Sequence, residues 1–189
     1  MAIQQRRERQ RAERHRLILD TAREIAETEG WDAVTTRRLA DRIEYSQPVL
    51  YSHFAGKDEI VAAVALEGFG ELTDSLRAER ADPAARLAAV AHGYLRFAAT
   101  HPAVYAAMFT MDTALTFADA ESPEPLRAAF GLLRDAVGGS TGEPDLESRT
   151  ELFWSTLHGL ATLTAANRLR PTHAKERLAL LITQLTATT

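Results

Sequence analysis

The run YSQPVLYSHFAGKDEI, Tyr45 to Ile60, places a proline, two tyrosines, a histidine and a phenylalanine within ten residues, then closes on a lysine and two acids. Proline has no backbone N–H, but that group lacks an intrahelical partner in a first turn, so Pro48 suits a helix start. The residue before a proline avoids the helical region, which predicts Gln47 as N-cap and Pro48 as the first helical residue. Leu50 and Phe54 stand four apart and share one side of such a helix. Pro48, Val49 and Ser52 turn away from that side, with Tyr51 and His53 on its flanks. The stretch is predicted to be a short helix with an apolar inner edge and an outer face of small and polar groups.

Immediately upstream, Thr35 or Thr36 can cap another short helix carrying Leu39, Ala40 and Ile43. About three residues then separate the two. Two short helices joined by a tight turn form a helix-turn-helix arrangement, whose second helix fits the DNA major groove. The same spacing also occurs in hairpins that only pack, and it does not by itself choose between them. A further helix, from near Arg14 to Glu29, has Leu17, Ile18, Ala22, Ile25 and Ala26 on its inner stripe and Gly30 at its end.

Apolar residues recur at three-to-four spacing along the remainder, and no alternating strand pattern exceeds a few residues. Gly30, Gly56, Pro83, Pro102, Ser122-Pro123, Gly138 to Pro144 and Pro171 interrupt it. An all-α chain of about nine helices follows. The later ones are near 57–80, 84–100, 103–110, 123–137, 145–169 and 173–187, with 138–144 read as a flexible surface loop. The expected division is an N-terminal arm and DNA-binding domain over 1–56, its motif at about 35–54, and a C-terminal domain over 57–189.

There are no cysteines, which excludes disulfides, thiolate nucleophiles and cysteine-based zinc sites. The longest apolar run, Ile60 to Leu66, is far short of a membrane span, and no secretory leader precedes it, so a cytoplasmic protein is expected. Residues 1–57 carry eleven Lys and Arg against nine Asp and Glu, whereas the remainder carries eleven against seventeen. Only one end is therefore suited to a polyanion. Arg6, Arg7, Arg9, Arg11, Arg14 and Arg16 lie in the first sixteen residues. They read either as a solvated, disordered tail or as a flexible arm reaching phosphates or a minor groove.

The run VTTRRLADRIEYSQPVLYSHFAGKDEIVAAV, Val34 to Val64, resembles the DNA-binding domain of the TetR family of transcriptional regulators. The likeness extends from about Leu17 to Leu72. Thr36-Arg37, Leu39-Ala40, Leu50-Tyr51, Phe54 and Lys57 carry it. The second half resembles a TetR ligand-domain subfamily with a Trp, His, Gly signature, here Trp154, His158 and Gly159, and YLRFAATHPAVYAAMF at 94–109 is similar to it too. The resemblance implies that Thr36 and Arg37 open the motif's first helix against phosphate and base edges. It implies that Gln47, Pro48, Val49 and Tyr51 face DNA, and that His53 and Lys57 meet phosphate. Ser52, also outward, is a further candidate. Arg can read guanine and Gln adenine, while Val49 or Pro48 can pack on a thymine methyl. Lys57 opens the next helix, where backbone N–H groups favour a phosphate. Glu44 departs from the family, which usually has glycine in this turn.

In the second half Tyr94, Phe97, Tyr105, Met108, Phe109, Phe117, Phe130, Trp154 and His158 are candidates to line an apolar effector cavity, although each taken alone reads more readily as core. Leu157, Leu160 and Leu163, beside Gly159, Ala161, Ala165 and Ala166, with Leu178, Leu181, Ile182 and Leu185, exceed what one stripe buries in a monomer. They suggest a four-helix homodimer interface, as the resemblance also does. No nucleophile–base constellation, phosphate loop or metal set stands out, so neither an enzyme nor a cofactor is expected. The reading is a ligand-responsive homodimeric repressor of a palindromic operator. The alternatives are an activator, an effector-independent regulator, or a small-molecule binding protein or enzyme with an incidental helix-turn-helix.

Overall fold

The computed structural model describes residues 2–79, 82, 85–113, 115–116, 121–138 and 145–187. Within them the chain forms nine α-helices and two 3-10 turns, with no strand. These are α1 (Ala2–Glu29), α2 (Thr36–Arg42), α3 (Gln47–Tyr51), α4 (Lys57–Ala78), α5 (Arg86–Thr100), α6 (Pro102–Phe109), α7 (Glu124–Val137), α8 (Leu146–Ala165) and α9 (Ala174–Ala187). The all-α class and the helix order are as expected. Pro83, Phe117 and the 139–144 part of the expected loop lie outside the described residues.

The chain divides into two compact units. The first unit comprises Met1–Gly68 and His101–Thr116, the second Phe69–Thr100 and Phe117–Thr189. The first unit takes in α6, which packs on α1. The Glu27 carboxylate accepts from the N–H groups of Ala103 at 3.1 Å and Val104 at 3.3 Å, satisfying free donors at the positive end of α6. The Trp31 indole donates to the Ala103 carbonyl at 2.8 Å. None of these three bonds is legible in the sequence, because each joins residues more than seventy positions apart.

The core of the first unit takes Ile18, Ala22, Ile25 and Ala26 from the predicted stripe of α1, with Leu19 buried in place of Leu17, which is 42% exposed, and these meet Val34, Leu39, Leu50, Ile60, Val61 and Val64. In the second unit Val90, Ala91, Tyr94 and Phe97 of α5 are buried with Leu126, Ala129 and Leu133 of α7, Phe153 and Leu157 of α8 and Leu178 of α9.

Three boundaries differ from expectation. First, α1 begins at Ala2, twelve residues before Arg14, as a helix rather than a disordered or flexible arm. Its first half is nearly all Gln, Arg, Glu and Ala, good helix formers without a breaker, but it lacks the apolar stripe by which a helix is seen in sequence. Second, α3 has Ser46 as its N-cap, so Gln47 is its first helical residue and Pro48 the second, a position that also has no N–H partner to lose. Third, α8 ends at Ala165 rather than 169. Asn167 turns into the left-handed region at φ 55°, and the Arg168 N–H closes on the Leu163 carbonyl at 2.8 Å.

Candidate nucleic-acid interface

Gly30 ends α1 at φ 86°, ψ 162°, a region open essentially to glycine, and turns the chain towards α2. Thr35 caps α2, its hydroxyl accepting from the Arg38 N–H at 3.2 Å. At the other end of α2 the Tyr45 N–H bonds the Ala40 carbonyl at 3.0 Å and the Glu44 N–H bonds the Asp41 carbonyl at 3.4 Å. This is a Schellman closure, and Glu44 occupies its left-handed position at φ 58°. The turn geometry is thus kept without the glycine.

Leu50 and Phe54 are buried, and they hold α3 against α2 and α1 by its inner edge. Gln47, Pro48, Tyr51 and Ser52 are left exposed, and Val49 is half-exposed. The Tyr51 and Thr36 hydroxyls lie 3.4 Å apart, linking the outer face of α3 to the start of α2. The arginines of α2 divide sharply. Arg38 is paired with Glu29 and Arg42 with Glu24, at 2.7 Å in the latter case. The Arg38 hydrogen bond holds the Glu29 carboxyl below its ordinary range. Arg37 is exposed and has no carboxylate partner among the described residues.

Two phosphate candidates are placed differently from the others. The Lys57 ammonium donates to the Trp31 carbonyl at 2.5 Å and is half-buried. It therefore ties the start of α4 to the turn after α1, with further donors remaining. His53 is half-buried, and its Nδ1 has no hydrogen-bond partner. Burial, together with neighbouring Arg11, His15 and Arg14, holds its imidazole below the ordinary value.

Arg11 and His15 join the site, although sequence reasoning does not single them out as individual contacts. The Arg11 guanidinium donates to the Ser52 carbonyl at 3.3 Å, and the His15 ring stacks on Phe54 with centroids 4.5 Å apart. Their only sequence signal is that they extend the spacing of the α1 stripe towards the N-terminus.

The effector candidates fall into both units. Tyr94, Phe97, Phe130, Trp154 and His158 belong to the second, while Tyr105, Met108 and Phe109 belong to the first. Tyr94, Phe97, Tyr105 and Met108 are buried; Phe109, Phe130, Trp154 and His158 are half-buried. The Trp154 indole donates to the Tyr94 hydroxyl at 3.1 Å, and burial lowers the His158 pKa. Of the dimer candidates, Leu157 is wholly buried and Leu178 nearly so, which leaves them no surface to offer a partner. Leu160, Ala161, Leu181, Ile182 and Leu185 are partly exposed, and Ala165 is exposed. Leu163 of that set, and Leu152 and Leu180 outside it, are the large apolar groups that α8 and α9 expose most. Among the described residues no helix is long and apolar enough to cross a membrane, and no group of side chains is placed to hold a metal ion.

Two short helices around a Schellman turn, with the outer face of the second left free, define a helix-turn-helix protein. Residues 18–64 match the bacterial regulatory proteins of the tetR family, and residues 87–185 match the tetracyclin repressor-like C-terminal domain. The chain belongs to the TetR family, a class of DNA-binding transcriptional regulators. It is 33% identical over 96 residues to the HTH-type transcriptional regulator YobS of Bacillus subtilis, covering 49% of each chain. It is 29% identical over 154 residues to the HTH-type regulator Rv0681 of Mycobacterium tuberculosis, covering 77% of this chain and 67% of the relative. The chain thus spans about half the length of the Bacillus relative. The solved structure of the regulatory protein SCO4313 is similar over 94% of this chain and 97% of its own, with a TM-score of 0.72 and 26% identity.

Proposed function

We propose that this protein is a homodimeric, ligand-responsive repressor that reads a palindromic operator through the α2–α3 motif. The observation that carries the reading is the state of the three arginines of α2. Arg38 and Arg42 are neutralised by carboxylates, whereas Arg37 stands exposed without one beside the open face of α3. An unpaired guanidinium next to a helix sized for the major groove suits bidentate contact with guanine. Thr36 and Tyr51, whose hydroxyls adjoin, suit phosphate and base-edge contact beside it. The N–H groups opening α4 favour a phosphate.

Regulation by a ligand rests on the second unit. The aromatic group of Tyr94, Phe97, Phe130 and Trp154, with the half-buried His158, offers mostly apolar surface and few polar handles, which suits an apolar effector. The effector acts by preferring a conformation in which the two DNA-binding motifs are wrongly spaced.

The test is selection of duplexes from a random-sequence pool by the full chain, followed by mobility shift at near-physiological salt. A palindromic site preferred strongly over scrambled duplex is expected. Arg37→Ala should cost about 1–3 kcal/mol on that site and relax the preference at one base pair per half-site. No preference over scrambled duplex would favour an incidental helix-turn-helix. A retained base ranking in Arg37→Ala would reassign Arg37 to phosphate.

A further inference from the structure

The inner stripe of α1 changes chemistry along its length. Ile18, Ala22 and Ile25 form it in the carboxyl half and are buried. Traced back by fours and threes from Ile18, the same stripe reaches Arg14, Arg11 and Arg7. The helix runs unbroken through this change. The stripe that packs the motif thus continues as a row of guanidinium groups.

This row is anchored at the carboxyl end of α3. Arg11 bonds the Ser52 carbonyl, and His15 stacks on Phe54. Arg7 stands one further turn out, about 6 Å along the axis. Among the described residues, Arg16, Arg23, Arg38 and Arg42 have carboxylate partners, while Arg7, Arg11 and Arg14 have none. The buried Arg14 Nε lacks any hydrogen-bond partner. Cations left unpaired in a row on a rigid element, continuous with the exposed face of α3, are complementary to a regularly spaced polyanion.

We propose that the first half of α1 is a second DNA-contacting element, a rigid helical strut whose Arg7, Arg11 and Arg14 row grips the sugar–phosphate backbone beside the carboxyl end of α3. The proposal rests on the DNA-binding reading above and adds a position and a mode. The contact is sequence-independent, borne by one face of a helix, and distinct from a flexible basic arm, for which only total charge matters. Arg9 lies on the opposite face of α1, exposed and outside the row.

The experiment compares the full chain with Arg7→Gln, Arg9→Gln and Ala12→Pro on the selected duplex and a scrambled duplex across a salt series. Arg7→Gln removes the same charge as Arg9→Gln but from the other face. Ala12→Pro keeps every arginine and breaks the helix between Arg7 and the anchor at His15. Arg7→Gln should make the plot of log affinity against log salt shallower by about 0.9 per bound protomer on both duplexes, leaving their ratio unchanged. Arg9→Gln should match the parent, and Ala12→Pro should lose the same slope as Arg7→Gln. Equal losses for Arg7→Gln and Arg9→Gln, or a parental slope for Ala12→Pro, would establish a flexible arm and overturn the strut. A parental slope for Arg7→Gln, with the selected duplex still preferred, would overturn the contact while leaving the motif intact. A parent chain that prefers no duplex would overturn both readings together.

Discussion

Glu44 holds a backbone conformation, φ 58°, that costs a side-chain-bearing residue about 1 kcal/mol relative to glycine. Its two Schellman hydrogen bonds maintain that conformation, so the strain is balanced locally and the turn keeps its shape. Glu44→Gly is expected to raise unfolding stability by about 1 kcal/mol in urea titration, reduced by the greater freedom of glycine in the unfolded chain. A midpoint lowered by the full entropic cost of glycine would mean that the turn stores no strain. His53 supplies a second test at this scale. Burial and the adjoining Arg11, His15 and Arg14 lower its pKa from 6.5 in the folded protein. The unfolded chain then binds more protons below that value. The stability contributed by neutral His53 is present above the unfolded pKa and lost as pH falls through the folded one. Parent and His53→Gln, unfolded in urea at pH 7.5 and pH 5.5, should differ, with the parent losing more on acidification. Equal losses would show that His53 titrates as if solvated.

At the scale of elements, α4 and α6 approach each other in the first unit at Gly68. A Cβ there would lie 2.5 Å from Val104 Cγ1 and 2.8 Å from Met108 Sδ, both on buried side chains. Gly68→Ala is therefore expected to destabilise by about 1–3 kcal/mol through overpacking. Two residues on, a Cβ at Gly70 would meet nothing within 4 Å, so Gly70→Ala should gain up to about 1 kcal/mol from helix propensity alone. Thermal unfolding of the pair reads the contrast directly, and the same sign for both would refute the close approach. Helix α1 illustrates a different element-scale point. Its carboxyl half is legible from apolar spacing. Its amino half is not, because a row of arginines carries no hydrophobic period and a polar helix of that kind resembles a solvated tail.

For the whole molecule, the apolar groups that α8 and α9 leave outside matter most. Leu152 is 67%, Leu163 45% and Leu180 63% exposed. A two-fold interface through these helices would cover them, and the proposed binding of one head to each half-site calls for a two-fold dimer. Leu163→Glu combined with Leu180→Glu is expected to sediment as a monomer and to lose most operator affinity while keeping its helical content. A dimer of parental affinity would place the interface elsewhere. Sequence reasoning assigns Leu157 and Leu178 to this surface, but both are spent on the core of the second unit. Periodicity identifies an apolar stripe without saying whether its own chain or a partner covers it.

What the sequence determined by itself is local: the helix order, a threonine cap for α2 at Thr35 or Thr36, and the inner edge formed by Leu50 and Phe54. Each depends on residues a few positions apart, whose spacing maps directly onto backbone geometry. The tertiary structure alone decided which charges remain available. Arg37 and Arg38 are adjacent in sequence and chemically identical. Glu29 neutralises only the second, because the turn at Gly30 brings the end of α1 beside it. In the same way Lys57 is drawn to the Trp31 carbonyl, and Glu27 returns α6 to the first unit. Such pairings join residues distant along the chain, and an electrostatic partner at a few ångströms leaves no period in the sequence that could announce it.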